Sequence, residues 1–270
     1  SINFGRLLPQ IVYYYTSYQT LLERGTIRPG ERVNFCVPTG NFGDILAGEY
    51  ARRMGLPVNK LICASNRNNV LTDFFTRGVY DDKRPFYKSM SCSIDILISS
   101  NLERLLFELA GRDDAVVRGW MRDLKEQGMY ALPKEALDEL GKGFAADWCT
   151  EEDTLETIKR VYGETGYLMD PHTAVAQCVY ERYAERTGDK TKTVLLSTAN
   201  PYKFATDVLG AFEPAGKDNF ANVDRLLALT KAPVPNGISG LKGKPELHLD
   251  VRSLDELPAR VLSPVTDKTI

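Results

Sequence analysis

Gly40-Asn41-Phe42-Gly43 lies between a short apolar run, Arg32 to Val37, and a helical stretch from Asp44 to Met54 that closes at Gly55. A turn from strand into helix presents main-chain N–H groups that have no partner inside the helix, and the helix dipole adds partial positive charge there. Such a loop suits a phosphate, because glycines let the backbone take positive φ and approach the anion closely. The same four residues equally describe a tight strand-to-helix turn that binds nothing. The dinucleotide spacing GxGxxG is absent, the glycines standing at Gly40, Gly43 and Gly48, and no Gly-Lys-Ser/Thr word follows. Asp44 at the helix start favours the dipole but would repel a phosphate, so its carboxylate is expected to face backbone N–H groups.

A second polar word, Ser197-Thr198-Ala199-Asn200-Pro201, ends the apolar run Thr193 to Leu196. A threonine here either offers its hydroxyl to a ligand or satisfies local backbone. The sequence has two histidines, His172 and His248, far apart and without a metal-ligand pattern, so no structural zinc is expected. His172, two places after Asp170, reads as structural. Lys203 reads as a surface or phosphate-side lysine, and the charges from Arg112 to Lys125 as a solvated helix face. Cys36, Cys63, Cys92, Cys149 and Cys178 are odd in number, widely spaced and without a CxxC, which suggests reduced core thiols and a cytoplasmic setting.

The elements that must position these residues follow from periodicity. Apolar residues from Arg6 to Arg24 repeat at helical spacing and stop at Gly25, predicting one amphipathic helix. Strands are expected over Arg32 to Val37, Lys60 to Ala64 and Thr193 to Leu196. Helices are expected over Asp44 to Met54, Asn68 to Thr76, and Pro171 to Thr187 with Asp170 as cap. Alternating strands and helices predict an α/β fold, a doubly wound and mostly parallel three-layer sheet. The stretch 93–166 reads as a helical insertion between a first part, 1–92, and a remainder, 167–230. Residues 231–270, rich in Gly and Pro, read as a looser tail with one strand-like piece around Leu247 to Val251.

Composition narrows the class. In 270 residues, 43% hydrophobic and 26% charged, 36 acids stand against 34 bases with no basic stripe, which argues against nucleic acid or an anionic membrane as partner. No apolar run approaches the roughly 20 residues of a membrane span, so a soluble globular protein is expected.

The long word Val37-Pro38-Thr39-Gly40-Asn41-Phe42-Gly43-Asp44-Ile45-Leu46-Ala47-Gly48 resembles the cofactor-phosphate loop of bacterial and fungal threonine synthases. Further words fall in that family's order. They are Ser1-Ile2-Asn3 with Arg6, Ala64-Ser65-Asn66 with Asn69-Val70-Leu71, Asp95-Ile96-Leu97 through Ser100-Asn101-Leu102-Glu103-Arg104, Asp170-Pro171-His172-Thr173-Ala174-Val175, and Thr198 through Phe204. The sequence departs where the family usually has histidine at Asn200 and Ser-Pro-Ser-Met-Asp at Ser91 to Asp95.

The resemblance implies the tryptophan synthase β-like fold, pyridoxal 5'-phosphate (PLP) as cofactor, and conversion of O-phospho-L-homoserine and water to L-threonine and phosphate. It implies that Gly40, Asn41, Phe42 and Asp44 hold the cofactor phosphate, that Gly43 shapes the loop, and that Thr198 meets the pyridine nitrogen. The family's Schiff-base lysine lies in an upstream Phe-Lys-Asp word, followed by Ser-Gly-Asp-Thr-Gly. Neither word occurs in this sequence. The expectation is therefore the C-terminal part of such an enzyme, inactive alone, whose oligomeric state the sequence leaves open. Two rivals stay open: another PLP lyase or dehydratase of the same fold, which would share the loop but not the Asp170 to Val175 word, and a noncatalytic anion-binding α/β domain.

Overall fold

The computed structural model describes residues 3–245, 247 and 249–266. Among these the strands are β1 (Val33–Pro38), β2 (Val58–Ser65), β3 (Val79–Asp81), β4 (Met129–Ala131), β5 (Phe144–Trp148) and β6 (Thr193–Leu195). Four of them form a parallel sheet in the order β5-β2-β1-β6. β1 is buried at every residue, as a central strand covered on both faces must be.

Alternation along the strands sends side chains to two separate cores. Phe35, Val37, Leu61, Cys63, Phe144 and Ala146 share one core with Ile45 and Leu46 of the helix Gly43–Arg53 and with Phe74 and Phe75 of the helix Val70–Arg77. Cys36, Ile62, Ala64, Ala145 and Leu195 lie in the other, against Val175, Ala176, Val179 and Tyr183 of the helix Pro171–Thr187. The result is the expected three-layer, doubly wound α/β arrangement.

The chain leaves β1 for β2 and β5, and only later returns to β6 on the opposite side of β1. The order of strands therefore reverses at β1/β6, a topological switch point. In such sheets the loops at the carboxyl ends of the two switch strands diverge to opposite faces and leave a crevice between them.

Three local readings are corrected. The expected helix from Arg6 to Arg24 is an α-helical turn Phe4–Leu7, a 3-10 turn Leu8–Gln10 and a helix Ile11–Glu23. Pro9 has no N–H to continue an α-helical ladder, which explains the break. The stretch 93–166 holds the helices Leu102–Leu109, Asp114–Gln127, Lys134–Gly143 and Glu151–Thr165, yet it also supplies β4 and β5. β4 pairs antiparallel with β3, and β5 pairs with β2 in the main sheet, so this stretch is woven into the fold. Phe144-Ala145-Ala146-Asp147-Trp148 is short and poor in β-branched residues, and pairing with β2 overrides that weak propensity.

The third correction concerns the C-terminal region. Pro235–Ile270 forms a compact unit of its own, with a helix Asn236–Ser239, a 3-10 turn Leu254–Glu256 opened by a Ser253/Glu256 capping box, and a helix Leu257–Thr266. Leu247 and 249–251 adopt no strand, and Leu247 and Val251 are 78% and 88% exposed. Residues 246 and 248, the latter His248, lie outside the described residues, as do 267–270.

Candidate functional site

A crevice of about 680 Å³ opens at the switch point. Pro38, Gly40, Asn41 and Asp44 line it from the carboxyl end of β1, and Leu196, Ser197 and Thr198 from the carboxyl end of β6. The two polar words of the sequence thus meet in one cavity. Ser93, Ile94 and His172 close one wall.

The loop turns differently from the sequence expectation. Gly40 and Gly43 do not take positive φ; Phe42 does, with φ 65° and ψ 9°. An aromatic residue tolerates the left-handed region only where packing over-determines it. The Phe42 ring supplies that packing: it is fully buried and stacks on Phe75 at 5.8 Å between centroids, with Phe144 at 6.2 Å. Phe42 itself does not line the crevice, and its side chain points into the core. Space is tightest at Gly40, where backbone closes in, and at Gly43 an added Cβ would press on a side chain. A Cβ on Gly40 would stand 3.0 Å from Ile94 Cα and 3.0 Å from Ser93 O, and one on Gly43 would stand 3.0 Å from Asn41 Oδ1.

The loop carbonyls are fixed from behind. Ser99 Oγ donates to Gly40 O at 2.6 Å, and Asn41 O accepts from Asn101 N at 3.1 Å and from Asn101 Nδ2 at 3.0 Å. In a trans peptide the N–H points opposite to the C=O of the same unit. Holding these two carbonyls against Ser99 and Asn101 turns the N–H groups of Asn41 and Phe42 the other way. Asn41 Oδ1 accepts from Gly43 N at 2.9 Å, and the first N–H groups of the helix Gly43–Arg53 open beside them.

Asp44 does not face the backbone N–H groups expected of it. Tyr14 Oη donates to Asp44 O at 2.8 Å and to Asp44 Oδ1 at 3.2 Å. Burial pushes the Asp44 carboxyl up to about 6, against the lowering effect of the Tyr14 hydrogen bond, and burial first and then Asp44 raise the Tyr14 phenol well above its usual range. A carboxyl that ionises reluctantly removes part of the repulsion an anion would meet here.

Thr198 is exposed at the crevice mouth. His172 is buried and held at both ring nitrogens: Nδ1 lies 2.9 Å from Asp170 Oδ1, and Nε2 accepts from Ser93 N at 3.1 Å. That pattern assigns the proton to Nδ1 and gives the ring a structural task, carrying the Asp170 cap through to the wall that bears Ser93. Lys203 is exposed, with its ammonium 5.6 Å from the Phe204 ring, and does not line the crevice. Cys92, expected in the core, is exposed; the other four thiols are buried.

The sequence reading missed one wall. Arg6, Gln10, Tyr13 and Ser17 line the crevice at spacings of four, three and four residues. Such spacing is close to helical, and the four residues lie on three successive helical turns, Arg6 on Phe4–Leu7, Gln10 on the 3-10 turn Leu8–Gln10, and Tyr13 and Ser17 on the helix Ile11–Glu23. The polar periodicity was the available signal. Arg6 brings a guanidinium to a crevice already rich in N–H donors.

A doubly wound parallel sheet with a polar crevice at its switch point places the chain in the α/β class, whose members carry ligand sites at that point of the sheet. Residues 173–261 match the family model described as threonine synthase, C-terminal. The chain is 39% identical over 235 residues to threonine synthase of Saccharomyces cerevisiae, covering 82% of this chain and 45% of that protein. It is 46% identical over 215 residues to human threonine synthase-like 1, covering 79% and 28%. Among solved structures, yeast threonine synthase aligns with a TM-score of 0.84 at 35% identity, over 100% of this chain and 53% of that one. A PLP-bound threonine synthase from Brucella melitensis aligns with a TM-score of 0.73 at 41% identity, over 83% and 47%. The chain is a relative of the threonine synthases and corresponds to a C-terminal portion of them. It spans about half the length of the yeast and Brucella proteins and less of the human one.

Proposed function

We propose that this chain supplies the cofactor-phosphate side of a PLP-dependent threonine synthase, which converts O-phospho-L-homoserine and water to L-threonine and phosphate. The observation that carries the proposal is the crevice that gathers Gly40, Asn41, Asp44 and Thr198 at the switch point of a sheet related to a PLP-bound enzyme. Its volume, about 680 Å³, lies within the range of small-molecule sites. Its donor set, outward N–H groups at a helix start with their carbonyls tied back, suits a phosphate.

PLP, when bound, supplies an electron sink for negative charge at the substrate α carbon. The chain's own residues hold and orient. The N–H groups of the loop 40–44 would bind the cofactor phosphate, with the Phe42 ring anchoring the turn from below. The Thr198 hydroxyl would meet the pyridine nitrogen, a neutral partner that does not force a proton onto it. Arg6 would face the substrate phosphate, where a planar guanidinium gives two parallel hydrogen bonds. Because no Phe-Lys-Asp word occurs here, the covalent lysine belongs to a part of the enzyme outside this sequence. By this reading the 270-residue chain binds PLP weakly and noncovalently and does not turn over.

The test is to incubate the chain with PLP, reduce with borohydride, map any pyridoxyl-lysine by mass spectrometry, and assay phosphate and threonine release from O-phospho-L-homoserine. Reversible PLP binding that inorganic phosphate competes away, with no stoichiometric lysine label, is expected. One lysine labelled stoichiometrically together with threonine production overturns the inactive-alone reading; absence of any phosphate-sensitive PLP binding overturns the site. A second reading, another PLP lyase or dehydratase of the same fold, accords with the 46% identity to a human protein named threonine synthase-like 1. Product analysis of the complete protein separates the two, threonine supporting the first and a 2-oxo acid the second.

A further inference from the structure

A second cavity, of about 620 Å³, is lined from the helices Leu102–Leu109 and Asp114–Gln127 and shares no lining residue with the crevice. Its size is that of a small-molecule site. An annex of about 70 Å³ adjoins it, with Ser100, Glu103 and Met121 lining both. The annex is mainly apolar, walled by Leu102, Leu106, Leu124, Tyr80 and Tyr130.

Tyr130 is the group in this annex that the fold leaves unexplained. It is 4% exposed, and its ring stacks on Tyr80 at 5.4 Å and on Trp120 at 6.3 Å between centroids. The Tyr80 hydroxyl beside it is fully engaged, donating to Leu97 O at 2.9 Å and accepting from Ser99 N at 2.7 Å. The Tyr130 hydroxyl makes no hydrogen bond among the described residues. A buried hydroxyl without a partner is costly, which points to a partner brought by a ligand. Burial first, then Tyr80 and the Glu103 charge, raise the Tyr130 phenol above its usual range, so it stays a neutral hydroxyl in the field of the Glu103 carboxylate.

The charged groups of the cavity differ in how far the fold already uses them. Glu108 is bound by Arg53 at 2.7 Å and by Arg112 at 3.2 Å. Arg118 pairs with Asp114 at 2.8 Å, but both side chains are more than 70% exposed, and a pair held in water is worth little, so Arg118 is free to turn to another anion. Glu103, at the junction of cavity and annex, enters no ion pair among the described residues. The junction therefore offers a carboxylate and a phenol oxygen to a cation, the cavity beyond it offers a guanidinium to an anion, and the annex accepts an apolar group.

We propose that this cavity and its annex bind an α-amino acid with an aliphatic side chain, at a site separate from the crevice. The side chain enters the annex against Leu106 and Leu124, the ammonium donates to the Glu103 carboxylate and the Tyr130 hydroxyl oxygen, and the carboxylate accepts from Arg118. An α-amino acid carries both charges on the carbon that bears its side chain, so one molecule meets all three features at the junction.

The intact chain, labelled with nitrogen-15 and titrated with L-leucine, tests this. Its two tryptophans, Trp120 and Trp148, give separate indole N–H signals, and only Trp120 stands beside Tyr130. A saturable shift of the Trp120 signal with Trp148 unmoved is expected. N-acetyl-L-leucine, which lacks the ammonium, L-leucinamide, which lacks the carboxylate, and L-alanine, which leaves the annex empty, should each bind about tenfold or more weakly. Tyr130→Phe gives up no hydrogen bond of the fold, so it should keep the melting temperature while weakening L-leucine about tenfold, and the exposed Glu103→Gln should do the same. No saturable shift at Trp120, or N-acetyl-L-leucine binding as well as L-leucine, overturns the proposal. The ligand series on the parent chain decides it even where a variant fails to fold.

Discussion

The Asn101 side chain donates to the Asn41 carbonyl at 3.0 Å, across sixty residues of sequence, and its own N–H reaches the same oxygen at 3.1 Å. Asn101 is 1% exposed, so this grip on the loop is made away from competing water. Asn101→Ala should cost about 1–3 kcal/mol of stability and weaken PLP binding a few-fold, because the Asn41 carbonyl keeps only the main-chain N–H of residue 101 and its peptide is held less firmly. Denaturant titration and fluorescence titration with PLP read the two effects separately. Unchanged PLP affinity in a folded variant would show that the loop needs no such support.

Gly48 lies in the helix Gly43–Arg53 against the Tyr14 ring. A Cβ there would stand 2.5 Å from Tyr14 Cε1 and 2.9 Å from Leu61 Cδ2. Tyr14 is fully buried and edge-on to Phe35 at 4.9 Å, so it has nowhere to retreat. Gly48→Ala should destabilise by about 1–3 kcal/mol despite alanine's better helix propensity. A melting temperature equal to or above that of the parent chain would contradict the packing described.

Asp44 makes stability depend on pH in a definite direction. Its carboxyl titrates at about 6 in the fold against an ordinary 3.8, so folding favours the protonated form. The contribution is full below the ordinary value and is lost as pH rises through about 6. Asp44→Asn, which keeps the Tyr14 bond to the main-chain carbonyl, should flatten the fall in stability between about pH 4 and 7. Urea midpoints measured across that interval decide the matter; parallel curves for parent and variant would remove Asp44 as the cause.

Arg6 and Thr198 face the crevice from opposite elements, and their loss should separate in kinetics of the complete enzyme. Arg6→Ala should raise KM for O-phospho-L-homoserine by roughly ten- to a hundredfold, as a charge-assisted pair of about 1.5–3 kcal/mol is removed. Thr198→Val should lower kcat with little change in KM, since its hydroxyl would act on the cofactor ring. Arg6→Ala that leaves KM unaltered would place the substrate phosphate elsewhere.

Local sequence determined the elements whose physics is local. Gly25, Gly55 and Gly188 take positive φ where helices end, Asp170 caps the helix that Pro171 opens, and the apolar runs at β1, β2 and β6 become parallel strands. Each depends on a few neighbouring residues, and the words around Gly40 and Thr198 carried the family resemblance. Tertiary structure decided what depends on distant contacts. It placed the positive φ on Phe42, because burial between Phe75 and Phe144 outweighs backbone strain that glycines were expected to absorb. It drew β5 from a helical stretch into the sheet, tied the loop carbonyls to Ser99 and Asn101, and turned Arg6, Gln10, Tyr13 and Ser17 toward the crevice. No window of neighbouring residues contains those partners, since chain folding alone brings together groups as far apart as Ser99 and Gly40 or Asn101 and Asn41.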